Sequence, residues 1–371
     1  MAEGALRVLV AGGGIAGLET LLAVHELGGD QVDLMLIAPE DNFVYRPLAV
    51  EKPYSLGRVH RVPLAEAAAG AGAAFAATTI QEVDPAGKIV TTSDGTRLDY
   101  DALVLAVGAE PHPVVARAFT WDDRADAELF GGFLRDFEEG YSTRLAVIVP
   151  PGPGWPLRGY ELALAVTLDV RRMGLEIDTS LVEPESSPLD ALGGAGRPRI
   201  MKELAAAGVT VFSADQVEVE PGTLVLSPSG EQIEADRVVA LPSLRGRTVK
   251  GIPVDENGFI DVDEHCRVRG VDGVWAVGDG TTFPVKSGGI AAEQADAAAE
   301  DIAALAGADV EAHAFDPADR VELLGLPAGP YLRKWLAARE GEDVSTSVSP
   351  EAGLPVLTYL ERDFEASRRG A

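Results

Sequence analysis

The residues best suited to chemistry stand near the start of the chain, in Gly12-Gly13-Gly14-Ile15-Ala16-Gly17. Glycines spaced Gly-x-Gly-x-x-Gly suit a backbone that must turn tightly and come close to a phosphate. Gly12 would permit the turn, Gly14 would let the backbone approach a pyrophosphate, and Gly17 would let a helix pack closely on the preceding strand. A helix starting here would present free N–H groups and a partial positive charge to the anion. The same chemistry wants an acid after the next strand to bind a ribose hydroxyl. The nearest acid beyond Ile37 is Glu40.

Such a motif works only when particular elements hold it. Leu6 to Ala11 is a short, largely apolar run suited to a buried parallel strand. A helix is expected from Ile15 to about Leu27, with Leu18, Leu21, Leu22 and Val24 on one side and Gly28-Gly29 as its stop. Val32 to Ile37 reads as the next strand, completing a βαβ unit. Thr79 to Asp99 reads as short strands with turns, and Ala102 to Val107 as another buried strand. A second cycle begins at Leu145 to Val149. It continues through a Pro/Gly loop (Pro150 to Pro156), a helix from about Tyr160 and a strand at Ile177 to Val182. Gly17-Leu18-Glu19 and Gly159-Tyr160-Glu161 take equivalent places in the two cycles. Two related dinucleotide-type domains of α/β, Rossmann-like class are therefore expected. A third block, Val274 to Leu305, offers a strand, a Gly-rich turn and an Ala-rich helix.

Composition narrows the functions. With 371 residues, 46% of them hydrophobic, the chain has ample material for buried cores, which excludes global disorder. A net charge of −28 makes nucleic acid a poor partner and disfavours anionic membrane surfaces. A single cysteine, Cys266, rules out an intrachain disulfide and a CxxC redox pair, and a reducing cytoplasm is the natural compartment. The five histidines show no metal-ligand spacing, so no metal site is expected.

Three further segments join the first motif: Asn42-Phe43-Val44-Tyr45-Arg46-Pro47-Leu48, Ala102 to Ala109, and Val274-Trp275-Ala276-Val277-Gly278-Asp279-Gly280. In this order they resemble the two-dinucleotide-domain flavoproteins, closest to the branch of type II NADH dehydrogenase and sulfide:quinone oxidoreductase. The resemblance implies FAD on a discontinuous domain, residues 1–115 plus 250–305, a nicotinamide-type domain at 116–249, and a C-terminal segment at 306–371. It implies cofactor contacts from Gly12, Gly14, Ile15, Ala16, Gly17, Glu40, Arg46, Pro47, Val83, Ala106, Val107, Gly108, Gly278, Asp279, Gly289 and Ile290. It also implies that the helix opened by Ser287-Gly288-Gly289-Ile290 points at the flavin pyrimidine edge. Lys286 would add positive charge there as a catalytic residue. Glu161 resembles an acid that approaches the nicotinamide or flavin.

The sequence departs from the family in its second glycine motif, where Gly154-Trp155-Pro156-Leu157-Arg158-Gly159 puts a proline in the middle place. Proline lacks an N–H and carries a bulky ring, which obstructs close approach of a pyrophosphate. Glu183 is nonetheless placed to bind an adenine-ribose 2′-hydroxyl, which would favour NADH. Gly154, Trp155 and Glu183 are thus the candidate substrate contacts. The leading expectation is a soluble oxidoreductase passing hydride from NADH to FAD and then to a quinone or other small acceptor. The alternatives are an FAD enzyme with a non-nicotinamide substrate in the 150–159 loop, with Trp155 stacking on it, and a flavin-containing partner protein. A homodimer is left open.

Overall fold

The computed structural model describes residues 4–45, 60–121, 127–154, 156–187 and 196–315. The chain begins with β1 (Leu6–Ala11), α1 (Ile15–Gly28), β2 (Val32–Ile37), β3 (Asn42–Tyr45) and β4 (His60–Pro63). It continues through α2 (Leu64–Gly70), β5 (Ala74–Ala76), β6 (Ile80–Asp84), β7 (Ile89–Thr92), β8 (Arg97–Asp99), β9 (Ala102–Leu105) and β10 (Ala109–His112). Next come β11 (Phe119–Thr120), α3 (Ala127–Glu138), β12 (Arg144–Ile148), α4 (Leu157–Arg172), β13 (Asp178–Glu183), α5 (Gly196–Ala206) and β14 (Val209–Ser213). The last elements are β15 (Gln216–Glu220), β16 (Thr223–Ser227), β17 (Gln232–Glu234), β18 (Arg237–Ala240), β19 (Ser243–Gly246), β20 (Val274–Ala276) and α6 (Gly288–Leu305).

Two compact units result. The first takes residues 4–45, 60–110 and 245–315; the second takes the described residues of 111–244. Each is built on a five-stranded parallel sheet. The orders are β20-β9-β1-β2-β5 and β11-β18-β12-β13-β14. In both, the strand that enters the glycine turn lies in the middle. The outermost strand comes last in the first unit, as β20, and first in the second, as β11. A three-stranded antiparallel sheet accompanies each one, β6-β7-β8 and β15-β16-β17.

In the first unit β1 shows why its run is apolar from Val8 to Ala11. Val8 and Val10 join the core on one face of the sheet, and Leu9 and Ala11 join the core on the other. A strand covered on both faces has no polar side to display. Leu18, Leu21, Leu22 and Val24 of α1 are all buried. The helix packed against α1 is α6, and its alanines 291, 295, 298 and 299 are buried too. Small side chains let the two helices approach closely, which brings the starts of both to one end of the sheet.

Candidate functional site

The glycines of the first turn divide into two kinds. Gly12 has φ +126°, and a Cβ built on it would lie 2.1 Å from the Ala106 carbonyl oxygen. A Cβ on Gly17 would lie 1.9 Å from the Gly12 carbonyl oxygen. Both positions are closed to any side chain by the protein's own backbone. Gly14 is different, because its φ of −85° suits any residue and a Cβ there would meet no atom within 4 Å. Protein packing does not require a glycine at that point, whereas close approach of a ligand does. Gly14 is also the N-cap of α1 and supplies no side-chain cap. The first N–H groups of a helix have no intrahelical partner, so Ile15, Ala16 and Gly17 leave donors at the helix start beside Gly14.

Two more segments meet this turn at the C-terminal ends of the strands, the usual binding edge of such a sheet. Ala106 follows β9 and donates its N–H to the Ala11 carbonyl at 2.8 Å. Val107 follows it, and Gly108, at φ +70°, again has nothing within 4 Å of a built Cβ. Gly278-Asp279-Gly280 follows β20 as a single 3-10 turn. A Cβ on Gly278 would lie 2.9 Å from Ala16 Cβ, and one on Gly280 would lie 3.2 Å from the Gly108 carbonyl oxygen. The three segments named from sequence are therefore neighbours in space. Bare backbone, helix-start donors and the open space at Gly14 and Gly108 fit a dinucleotide with a pyrophosphate.

The turn at Gly278 has supports that the sequence did not disclose. Gln294, on the second turn of α6, accepts from Gly278 N–H at 2.8 Å and donates to Thr281 Oγ1 at 3.2 Å. Thr281 Oγ1 donates to the Gly278 carbonyl at 3.0 Å. Lys286 lies just before α6 and is 4% exposed. Its ammonium donates to the Thr281 carbonyl and sits 4.3 Å from the centroid of the Phe259 ring. Burial lowers its pKa to about 8, against the pull of Asp279 and Asp255 toward the charged form. Ser287 caps α6 by accepting from Ile290 N–H at 3.2 Å. The Ile290 donor is thus spent inside the protein, while Gly289 is buried on the first turn.

The other expected cofactor residues fall variously. Glu40 is exposed in the loop after β2. Arg46 and Pro47 lie outside the described residues. Val83 takes a core place in β6: its side chain is 2% exposed and its N–H donates to the Lys250 carbonyl at 2.8 Å. Its N–H is therefore already engaged within the protein.

The second glycine turn differs in length and chemistry. Residues 12–14 join β1 to α1, whereas residues 149–156 join β12 to α4. Pro156 is the N-cap of α4 and supplies no side-chain cap. The Gly159 N–H, which would be a free donor, bonds to the Pro156 carbonyl at 3.0 Å. A Cβ on Gly159 would lie 2.3 Å from Val149 Cγ2, so this glycine keeps the strand–helix packing role of Gly17. Gly154 has open space around it, and Trp155 lies outside the described residues.

Glu161 and Glu183 follow this turn. Glu161 is partly buried and crowded by protein atoms, which raises its pKa to about 7, with Arg158 opposing the rise. A carboxyl with that value can hold or release a proton near neutrality. Arg158 itself lies 5.5 Å from the Trp121 ring centroid. Glu183, at the end of β13, is 1% exposed. Its Oε2 accepts from the Tyr160 hydroxyl and from Ser187 Oγ at 2.9 Å, and its Oε1 accepts from Arg197 at 3.0 Å. The carboxylate expected to face a ribose is turned inward instead. Ser187 lies four residues on, but nothing in the local spacing announces Tyr160 or Arg197 as its partners.

Cys266 is fully buried, and burial, with the charges of Asp263 and Asp301, raises its thiol pKa far above the usual range. Among the described residues no group of three or more His, Cys, Asp or Glu could hold a metal ion. Among the described residues no helix is long and apolar enough to cross a membrane.

A pair of Rossmann-like domains, one with a bare pyrophosphate cradle, defines the class of two-domain dinucleotide-binding flavoproteins. The chain belongs to the pyridine nucleotide-disulphide oxidoreductase family, whose match covers residues 6–300, and is an FAD-dependent oxidoreductase. It is 30% identical over 294 residues to an NADH dehydrogenase-like protein of Mycobacterium tuberculosis, covering 74% of this chain and 72% of that one. It is 27% identical to the ferredoxin–NAD(+) reductase subunit of the benzene 1,2-dioxygenase system of Pseudomonas putida, covering 76% and 69%. In fold it is similar to the sulfide:quinone oxidoreductase of Aquifex aeolicus, with a TM-score of 0.69 at 21% identity, covering 80% and 76%.

Proposed function

We propose that the protein takes electrons from NADH onto FAD and passes them to a quinone or another small acceptor in the cytoplasm. The observation that carries the FAD half is the turn from Gly12 to Gly17. It opens Gly14 and the first α1 donors to a ligand while sealing Gly12 and Gly17 against side chains. FAD, when bound, supplies a group that accepts a hydride and gives its electrons up again. The chain's own residues bind and tune it. The N–H groups of α1 hold the pyrophosphate. Gly108 leaves the strand end bare. The buried Lys286 and the start of α6 place positive charge beside the Gly278 turn, where it favours an anionic reduced cofactor. Glu161 holds a proton near neutral pH.

The donor is supported by the likeness to the NADH dehydrogenase-like protein. Charge narrows the acceptor, because a net −28 disfavours an acidic protein partner. An anaerobic titration of the purified protein with NADH tests the reading. Bleaching of the visible flavin band is expected, and a flavin that stays oxidised at saturating NADH overturns it. One observation favours a second reading, in which another organic donor reduces the flavin. The long 149–156 connection ends in Pro156, and the helix behind it has lost a donor to that proline's carbonyl. In that case Trp155→Ala slows flavin reduction by the other donor, and a Trp155→Ala variant that behaves as wild type counts against it.

A further inference from the structure

The end of β13 is where a Rossmann-like domain normally places the acid that reads an adenosine ribose. An acid serves there because it accepts from the 2′-hydroxyl of NADH and repels the 2′-phosphate of NADPH. Both actions need a carboxylate that faces the ligand. Glu183 stands at that position, but its side chain is 1% exposed. Tyr160 of α4 and Ser187 of the following loop donate to one oxygen, and Arg197 of α5 donates to the other. The Glu183 backbone is engaged too, since Ala214 N–H donates to its carbonyl at 2.8 Å. A buried carboxylate held by a guanidinium and two hydroxyls carries little net charge outward, and withdrawing it would leave those donors unpaired.

We infer that Glu183 does not read a nucleotide ribose but ties α4, α5 and β13 together, so that this acid does not separate NADH from NADPH. The inference rests on the reading of a nicotinamide donor given above. It extends that reading by predicting that the choice between the two nucleotides does not depend on Glu183. The other elements of the site agree. Pro156 reduces the free donors of the helix start, which would face the pyrophosphate that NADH and NADPH share, so this change treats the two nucleotides alike.

The test uses the full-length FAD-loaded protein, with NADH and NADPH as probes. Binding constants and anaerobic flavin-reduction rates are measured for wild type and for the double variant Glu183→Gln/Arg197→Met. The double variant removes the carboxylate and the guanidinium together, so no freed arginine can capture a 2′-phosphate. The ratio of NADH to NADPH affinity is expected to agree within about threefold between the two proteins, less than the loss of one charge-assisted hydrogen bond would change it. A preference of roughly thirtyfold or more in wild type, lost in the double variant, overturns the inference. Thermal melts give a readout that needs no nucleotide. Arg197→Met alone strands a buried carboxylate and should lower Tm by roughly 5–10 °C. The double variant should recover part of that loss, because the stranded charge is gone. Additive losses, or none, overturn the strut. If neither nucleotide binds or reduces the flavin, the NADH reading falls, and the melts still decide the role of Glu183.

Discussion

The two βα turns of this molecule start from the same plan and end differently. In the first unit residues 12–14 carry the chain from strand to helix, and the space above Gly14 is left to a ligand. In the second, residues 149–156 make the same crossing. Gly159 keeps the packing job of Gly17, but Pro156 stands at the helix start and the following acid is folded inward. A domain can thus keep the glycine its scaffold needs while losing the features a ligand needs. The comparison separates two reasons for a glycine that a motif written as Gly-x-Gly-x-x-Gly merges.

That separation can be broken by experiment. The largest effect is expected from Gly17→Ala, whose new Cβ would fall 1.9 Å from a backbone oxygen that cannot move aside. A loss above about 4 kcal/mol follows, seen as a collapsed melting transition or insoluble protein. A well-folded Gly17→Ala variant would show the turn to be looser than described. Next is Gly14→Ala, where the backbone angle is ordinary and the protein offers no clash. FAD affinity should drop by roughly 100-fold, about 3 kcal/mol, while the Tm of the cofactor-free protein stays put. A matching fall in that Tm would mean that Gly14 is there for packing after all.

Gly159→Ala sharpens the comparison from the other side. Its Cβ would press on the tip of Val149, a side chain that can shift, so about 1–2 kcal/mol is expected in a thermal or denaturant melt. A loss as large as that of Gly17→Ala would mean that the second turn is as rigid as the first. The smallest effect belongs to Glu161→Gln. The carboxyl titrates near 4.5 when unfolded and near 7 in the folded chain, so the native state binds more protons between those values. Stability from this group is therefore lost as pH rises from 4.5 to 7. Glutamine removes the dependence, and a Tm gain of roughly 2–4 °C over wild type should appear at pH 8 and vanish at pH 4.5. An equal gain at both pH values would show that the carboxyl does not titrate in this range.

The same contrast explains what the sequence disclosed. β1 and β2 run Leu6–Ala11 and Val32–Ile37, the bounds read from their largely apolar runs. Strands covered on both faces announce themselves as largely apolar segments. The first glycine turn was legible because strand, turn and helix are contiguous. Helix α3 (Ala127–Glu138) and helix α2 (Leu64–Gly70) were not read, the latter being too short for its periodicity to register. Gln294 under Gly278, and Tyr160, Ser187 and Arg197 around Glu183, were also missed. These contacts join residues on different elements, and no local spacing encodes which buried acid will find a guanidinium. Glu183 was read from its position on a strand end, but position alone does not say which way a carboxylate turns.

The buried Cys266 has a practical consequence. It is the chain's lone cysteine, its side chain has no exposed surface, and its proton is held far above neutral pH. A thiol-directed dye needs an accessible thiolate, so the folded protein should remain unlabelled. A cysteine introduced at an exposed site such as Tyr141, 75% accessible, would then take up one dye per chain. The molecule is a ready background for single-position fluorescence, with no cysteine to remove first.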